Sequence, residues 1–378
     1  MANSTDWARA IGTTITKYLR EEEEATFRKF KVFAALQASG NVTYNQGGLD
    51  LNWQVRYRNQ PVQGNSGETP RVFARQNLWV EASLPYRGYQ VTDQILKKEM
   101  LQNRGQEALI NVAGGMAQRL KESMESHLAK EVWVDGDLAE NALRFHGVES
   151  MMATSGTVNI DTGAYRAYNA LDMFGWPSDT YAGIQTGLGA IAGGQLEGSW
   201  PNGSCDPEFD FYSPVVVNYT SEAFRASTGK VTNTWADNCV VATREGIHQA
   251  KRNDTRESQI DMVIMDRSMF IAYLNNLDSK ERSIVTRTNG LKSYGFNDVF
   301  EQDGVEISHE YAVPTGCGYG LSVSNMELHC MQGQLMDSEG PDYLIDTQAY
   351  RYVVSVLANL KFKSPRNFFK LADLTSLA

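Results

Sequence analysis

The stretch TDQILKKEMLQNRGQEALINVAGGMAQRLKESMESHLAKEVW, residues 92–133, contains no proline and predicts a single long helix. An oxygen-bearing side chain at Thr92 or Asp93 is suited to cap the first turn. A continuous helix of this length spans ~60 Å at ~1.5 Å per residue, so we expect an elongated domain built along it. Its apolar residues recur at three- and four-residue spacing, which places them on one helical face. They are Leu109, Val112, Ala113, Met116, Leu120, Met124 and Leu128.

Glycines interrupt this helical pattern at two places. Gly105 and the pair Gly114-Gly115 each cost roughly 1 kcal/mol per glycine in a helix interior, relative to alanine. The helix could therefore begin near Arg104 or bend at the pair, and a helical hairpin broken at Gly114 is the alternative. No Pro, Asn or Asp follows the pair to form a turn, which favours the continuous helix.

The overall composition is that of a folded, acidic protein. Of the 378 residues, 42% are hydrophobic and 21% are charged, and the net charge is −10. This composition permits a packed core and excludes wholesale disorder. The acidic balance argues against a protein that mainly grips nucleic-acid phosphates, although it permits a surface that faces nucleic acid. No signal-peptide pattern and no apolar run of membrane-spanning length is visible.

The residue types that usually carry catalysis or bind metals show no known arrangement. The four cysteines and five histidines are scattered, without CxxC, HExxH or another metal-ligand spacing. We therefore expect no catalytic residue, no cofactor and no metal. One loose match, GLGAIA at residues 187–192, fits the nucleotide fingerprint GxGxxG/A but lacks the preceding apolar strand that this motif requires. A soluble α/β nucleotide-binding enzyme is thus a remote alternative.

Residues 49–58 alternate between apolar and polar side chains and predict a strand with one apolar face. A stretch rich in turn residues follows, and a second strand is expected at residues 71–80, which would complete a long hairpin. Because an isolated two-stranded hairpin is marginal in water, its apolar face must pack on something. That partner is either the hairpin's own domain or a neighbouring subunit.

The remaining sequence predicts an N-terminal arm and a mixed α/β region. Residues 1–40 contain a short amphipathic helix around Trp7 and Ile11. From residue 210 onward short strands and helices alternate. We expect strands at 261–265, 305–308, 320–323 and 327–331, helices at 245–252 and 268–277, and a β-branched strand at 350–362 that ends before Pro365.

This order of elements resembles the major capsid proteins of tailed bacteriophages, the Hong Kong ninety-seven-like fold. Four sequence segments carry the resemblance, which covers most of the chain from about residue 30. They are DTYAGI at 179–184, DMVIMDRSMFIAYL at 261–274, the segment from Gly290 to Gly316, and VLANLKFKSPR at 356–366.

The resemblance implies an α+β phage major-capsid fold with four regions. These are an N-terminal arm at residues 1–44, an extended β-hairpin loop at 45–80, a peripheral domain at 81–209 and 341–378 with a spine helix at 92–133, and an α/β axial domain at 210–340. The hairpin and arm are then expected to contact neighbouring subunits. The expected contact residues are Trp7, Ile11, Trp53, Val55, Arg56, Tyr57, Arg58, Arg71 and Arg75.

The resemblance also implies a structural protein rather than an enzyme. Hexamers and pentamers of the chain would form the icosahedral head shell of a virion around double-stranded DNA, after assembly in the host cytoplasm. Portal and scaffolding proteins are the expected partners, a decoration protein is a further candidate, and no membrane is involved. An encapsulin-type cellular compartment is the alternative shell. The basic cluster of Arg28, Lys29 and Lys31 is a candidate for a patch that faces the interior.

Two features depart from some relatives in this family. Relatives that weld their subunits use a lysine in the extended loop, but no lysine occurs here between Lys31 and Lys97. We therefore expect no isopeptide cross-link. Only about 40 residues precede the hairpin, so we also expect a separate scaffolding protein and little or no cleavage of the arm.

Overall fold

The computed structural model describes residues 30–58, 60, 62–65, 67, 73, 75–98, 106–152, 174–175, 180–187, 210–224, 233–251, 259–278, 291, 298–333 and 335–373. Within them, helices of eight residues or more are α1 (Lys31–Ala38), α2 (Gln106–Glu131), α3 (Trp235–Ala250) and α4 (Arg267–Asp278). The fold is mixed α and β, as the sequence predicts.

A five-stranded sheet is built around the longest strand. Its members are β1 (Val42–Gln46), β4 (Arg87–Leu96), β13 (Met326–Met331), β14 (Asp337–Leu344) and β15 (Ala349–Phe362). Along one edge, β15 pairs antiparallel with β4, and along the other it pairs with β13 and then β14. The expected late strand at 350–362 is confirmed.

A seven-stranded sheet forms the second layer, in the order β10-β11-β9-β12-β16-β8-β5. Its strands are β5 (Phe174–Gly175), β8 (Val215–Asn218), β9 (Met262–Met265), β10 (Phe300–Gln302), β11 (Val305–His309), β12 (Gly318–Leu321) and β16 (Phe369–Ala372). Since successive strand residues face opposite sides, Val263 packs into a core with α3 and α4, whereas Ile264 joins a core with α2 and the five-stranded sheet. The second sheet is thereby covered on both faces.

The expected helix at 92–133 begins later than predicted. Residues from Thr92 to Leu96 belong to β4, where Thr92 pairs with Val353, so the predicted start of the helix is wrong. Lys97 and Lys98 are helical, residues 99–105 lie outside the described residues, and α2 runs unbroken from Gln106 through the glycine pair, which rules out the helical hairpin. The predicted apolar face is confirmed where side chains are described, at Met116, Leu120, Met124 and Leu128, all of which are buried.

The strands of the two sheets alternate along the chain. β13 falls in the predicted axial region, 210–340, and β14 spans its end at residue 340, but both strands pair with β15 in the five-stranded sheet. Conversely, β16 falls in the predicted peripheral region, 341–378, but it lies between β12 and β8 in the seven-stranded sheet. The chain therefore crosses between the two sheets more often than a single boundary at residue 340 allows.

The hairpin also differs from its prediction in its second strand. β2 (Asp50–Arg56) matches the alternating pattern, but its partner is β3 (Trp79–Pro85), which begins near the end of the predicted range 71–80. The register pairs Arg56 with Trp79 and Asp50 with Pro85. The described residues between the two strands, at 57–58, 60, 62–65, 67, 73 and 75–78, belong to neither strand, so the connection is longer than the sequence pattern indicates. A further short pair, β6 (Thr180–Tyr181) and β7 (Ile184–Gln185), lies beneath the hairpin.

Candidate assembly surface and its anchoring

The base of the hairpin has one apolar face that is buried within its own chain. Because β2 and β3 pair antiparallel, alternate residues of both strands share this face. The buried members are Leu51, Val55, Ala82 and Leu84. They belong to the same apolar core as α2 and β15, so the hairpin base is part of the body of the protein.

Specific contacts fix the hairpin base to the β6–β7 turn and its surroundings. The backbone N–H of Ser83 donates to the carbonyl oxygen of Ala182 over 3.2 Å. The ring centroid of Trp53 lies 6.3 Å from that of Tyr181. The ammonium group of Lys361 lies 5.1 Å from the centroid of the Trp53 ring, within the range of a cation–π contact. These contacts set the direction in which the hairpin leaves the body.

Some of the residues that were predicted to contact a neighbouring subunit are buried within this chain. Val55 and Tyr57 are buried in their own chain, Tyr57 beside Phe211, and Trp53 is half-buried, so this face packs on the hairpin's own domain, the alternative that the sequence left open. Contact of these residues with a neighbouring subunit stays a prediction. Predicted contacts that lie outside the described residues are Trp7, Ile11 and Arg71.

Unlike the apolar residues of the hairpin base, the described arginines of the hairpin and its long connection lie at the surface. Arg56 and Arg75 are exposed, and the Arg58 guanidinium lies 5.7 Å from the centroid of the Tyr57 ring. Large apolar side chains are exposed there as well: Val62 is 98% exposed and Phe73 91%. Exposed apolar groups rimmed by polar residues are typical of interaction surfaces. The connection, rather than the hairpin base, is therefore the candidate assembly surface.

A buried carboxylate anchors the end of α2 beside the hairpin. Glu131 is fully buried and accepts hydrogen bonds from Arg144, whose Nη2 lies 2.6 Å from its Oε1, and from the hydroxyl of Tyr89 on β4. The Tyr89 oxygen in turn accepts the backbone N–H of Phe145 over 2.7 Å. Burial, reinforced by Glu131, raises the pKa of Tyr89, which keeps it protonated as a donor. Sequence reasoning missed this site; its one local signal is His127, four residues before Glu131.

A second polar cluster ties the loop after α2 to β15 and the hairpin. The Asn359 amide donates to the carbonyl oxygen of Pro85 over 2.7 Å and lies 2.8 Å from Nδ1 of His146. Nε2 of His146 lies 3.3 Å from the Asp137 carboxylate. If the Asn359 amide nitrogen donates to Nδ1, the proton of neutral His146 resides on Nε2. In the same loop, burial raises the pKa of Asp135 to about 6.

A third buried cluster joins this loop to the seven-stranded sheet. The ammonium of Lys370, on β16, lies 2.7 Å and 2.9 Å from the two carboxylate oxygens of Glu149. The hydroxyl of Tyr319, on β12, donates to the same carboxylate. All three side chains are buried. Because both charges are paired and hydrogen-bonded, the cluster locks the two layers of the protein together.

The remaining predictions about sites have mixed outcomes. Lys31 is buried and bonded within the chain, so it does not belong to an exposed basic patch; Arg28 and Lys29 lie outside the described residues. Most of the GLGAIA segment, residues 188–192, also lies outside them. Across the described ranges, no three His, Cys, Asp or Glu side chains are placed to share a metal ion. In the same ranges, no helix is long and apolar enough to cross a membrane.

This chain resembles known proteins in its three-dimensional structure but not detectably in its sequence. No protein-family model and no curated protein matches the sequence. Among solved structures, the Cyanophage A-1(L) capsid protein aligns over 91% of this chain and 93% of its own, at 14% identity and a TM-score of 0.54. The capsid protein of the Myoviridae phage XM1 aligns over 88% of this chain and 90% of its own, at 9% identity and a TM-score of 0.50. The chain therefore has the capsid fold of the tailed bacteriophages, as its sequence resemblance implies.

Proposed function

We propose that this chain is the major capsid protein of a tailed bacteriophage. It self-assembles into hexamers and pentamers that form an icosahedral head shell around double-stranded DNA. The observation that carries this proposal is the extent of the structural likeness. The fold follows that of the Cyanophage A-1(L) capsid protein over 91% of this chain and 93% of that one, so the likeness extends to nearly every region of the chain.

The exposed connection of the hairpin supports assembly on physical grounds. Val62 and Phe73 are almost fully exposed in the single chain, and Trp79 is 50% exposed. Burying apolar surface against a second copy stabilises an assembly by roughly 25 cal/mol per Å². Closed symmetric arrangements provide such burial to every copy at once. Arg56 and Arg75 are proposed to contact the neighbouring copy beside these apolar residues.

The two sheets support a proposed division of the chain into two domains. The five-stranded sheet with α2 forms the peripheral domain, and the seven-stranded sheet with α3 and α4 forms the axial domain that points toward the capsomer centre. The segment before α1 acts as an arm. Portal and scaffolding proteins, together with a candidate decoration protein, act during assembly in the host cytoplasm, and the finished shell is part of the virion.

Electron microscopy of the purified protein tests this function. The chain is produced alone and together with its candidate scaffolding protein, and particles are examined by negative stain. Angular shells tens of nanometres across are expected. A small particle that binds nucleotide would instead favour the soluble enzyme. Shells that carry an enzyme rather than DNA would favour the encapsulin-type compartment, since the two shells share a fold and differ in cargo.

Purified shells are expected to contain no covalent bond between subunits. The sequence supplies no lysine between Lys31 and Lys97, so the hairpin has no amine that could form an isopeptide bond with a neighbour. Shells boiled in detergent and reductant should therefore run as a single band of about 42 kDa, the mass of the chain. A ladder of covalent oligomers, persisting after reduction, would contradict this prediction.

A further inference from the structure

Helix α1 is attached to the body at one end of β11. Lys31, its first residue, donates from Nζ to Ser308 Oγ and to the carbonyl oxygen of His309, both over 2.6 Å. The following residues, Val32 to Leu36, are buried in the main core. α1 is therefore held on the body both by its first residue and by its apolar side chains.

The first turn of α1 lies beside a carboxylate from elsewhere in the chain. Its N-cap residue, Phe30, supplies no capping hydrogen bond. The carboxylate of Glu310, which directly follows β11, lies close enough to the backbone N–H groups of Lys31 and Val32 for these groups to lower its pKa. A helix start leaves such N–H groups without intrahelical partners, and an acceptor there stabilises the helix. Glu310 thus belongs to the same junction as Lys31.

The carboxyl group of Glu310 is largely shielded from solvent. Glu310 is 9% exposed, and its Oε2 atom is buried without a hydrogen-bond partner. A buried, incompletely hydrogen-bonded anion is costly, so protonation is the usual response. Burial accordingly raises the pKa of Glu310 to about 7, although Lys31 and the two backbone N–H groups act in the opposite direction.

Several other charged groups face this junction. Lys31 and Asp298 lie close enough to act on it, and His309 adjoins it in sequence, with Asp266 and Arg267 near His309. Burial lowers the pKa of Lys31 and of His309. A lowered pKa favours docking at higher pH, so the effects of Lys31 and His309 on docking oppose the effect of Glu310. The effect of His309 is confined to pH values below its ordinary pKa of 6.5, and neither effect is removed by replacing Glu310.

We propose that this junction is a proton-operated latch, in which α1 docks on the end of β11 more tightly when the Glu310 carboxyl group holds a proton. Docking transfers this group from water to a buried site and so raises its proton affinity. By linkage, docking must then strengthen as pH falls and weaken as pH rises through neutrality. The latch would set how tightly α1 is held on the body, independently of the contacts between subunits.

Hydrogen exchange of the α1 amides in the unassembled full chain tests the latch. Exchange protection is measured at pH 6.5 and pH 8.5 and corrected for the intrinsic pH dependence of exchange. A carboxyl pKa of about 7 when docked, against 4.5 when exposed, predicts that the docking equilibrium falls by about fourfold over this range. Glu310→Gln keeps the shape of the protonated side chain and should abolish this fall with rising pH. The matched control Glu339→Gln, on an exposed site of β14, should retain it.

A wild-type chain whose α1 protection is constant between these pH values would overturn the proposal, as would a Glu310→Gln chain that keeps the wild-type change. If α1 of that variant fails to dock, infrared spectroscopy replaces exchange. The protonated-carboxyl band of the wild-type chain at pH 6.5 should exceed that of Glu310→Ala, and this excess should be lost at pH 8.5; without that difference the proposal fails. Both measurements use single chains, so failure to form shells would contradict the proposed function and leave the latch unaffected.

Discussion

Replacing Gly147 with alanine is expected to destabilise the chain by ~3 kcal/mol or more, a large fraction of the ~5–15 kcal/mol by which native domains are stable. A β-carbon at this position would lie 2.5 Å from the carbonyl oxygens of Glu131 and Val132 and 2.6 Å from that of Val134. All three are backbone atoms at the end of α2 and in the turn that follows it. No side-chain rotation can relieve such a clash, so the loop itself must move.

The loop around Gly147 has little freedom to move. The backbone N–H of Gly147 donates to the carbonyl oxygen of Val134 over 2.9 Å, and that of Val148 donates to Val132 over 2.7 Å. These bonds hold the loop against the end of α2, and the Glu131 and Glu149 clusters lie on either side of it. Displacing the loop would expose buried polar groups whose partners are then lost.

Gly115 is the matched control for this prediction, because it is an exposed glycine inside α2. No atom lies within 4 Å of a β-carbon added there, so Gly115→Ala should stabilise the helix by roughly 1 kcal/mol. Both variants are compared with wild type by denaturant unfolding, followed by circular dichroism, at equal protein concentration. A Gly147→Ala chain with the wild-type midpoint would show that the loop adjusts at no cost.

The spacing of apolar residues in the sequence correctly predicted those helices and strands that pack against the rest of the chain with one face. The apolar face of α2 from Met116 to Leu128 and the strand–helix pair β9–α4 follow from periodicity, because burial on one side imposes a repeat. The segment from Thr92 to Leu96 shows the limit of this reasoning. Its short apolar pattern is compatible with either a helix or a strand. The segment forms a strand because it pairs with β15, more than 250 residues later in the chain.

The candidate surface shows a second limit. Alternation in β2 correctly predicted which side chains share a face, but it contains no information about what covers that face. Tyr181 and Phe211 of the same chain cover it, and both come from regions with no periodic signal. The position of β16 between β12 and β8 likewise could not be predicted, since a single sequence contains no pattern that identifies pairing between distant strands.

Replacing Lys370 with methionine is expected to lower the free energy of unfolding by ~3–5 kcal/mol, the usual cost of removing one partner of a buried ion pair. Lys370 is 2% exposed, and it is bonded to both oxygens of Glu149. Methionine preserves most of the side-chain volume and removes the charge. The Glu149 carboxylate would then stay buried, with the Tyr319 hydroxyl as its only described side-chain donor.

Two further variants separate loss of charge from loss of packing. In the double variant Lys370→Met, Glu149→Gln no net charge is left buried, so it should recover much of the stability that the single variant loses. Lys363→Met is the surface control: the Lys363 side chain is 44% exposed, and its ion pair with Glu327 should contribute less than ~1 kcal/mol. Denaturant midpoints of all four chains give the comparison.

The pH dependence of the Lys370→Met chain distinguishes an unpaired charge from a packing defect. A buried carboxylate without its cation binds a proton more tightly in the folded chain than in the unfolded chain, because burial disfavours its charged form. The deficit relative to wild type should therefore shrink as pH falls from 8 toward 5, since protonation of Glu149 removes the buried charge. A packing defect would leave the deficit constant with pH. A constant deficit, or a double variant no more stable than the single one, would mean that the pairing of charges is not what joins the two layers.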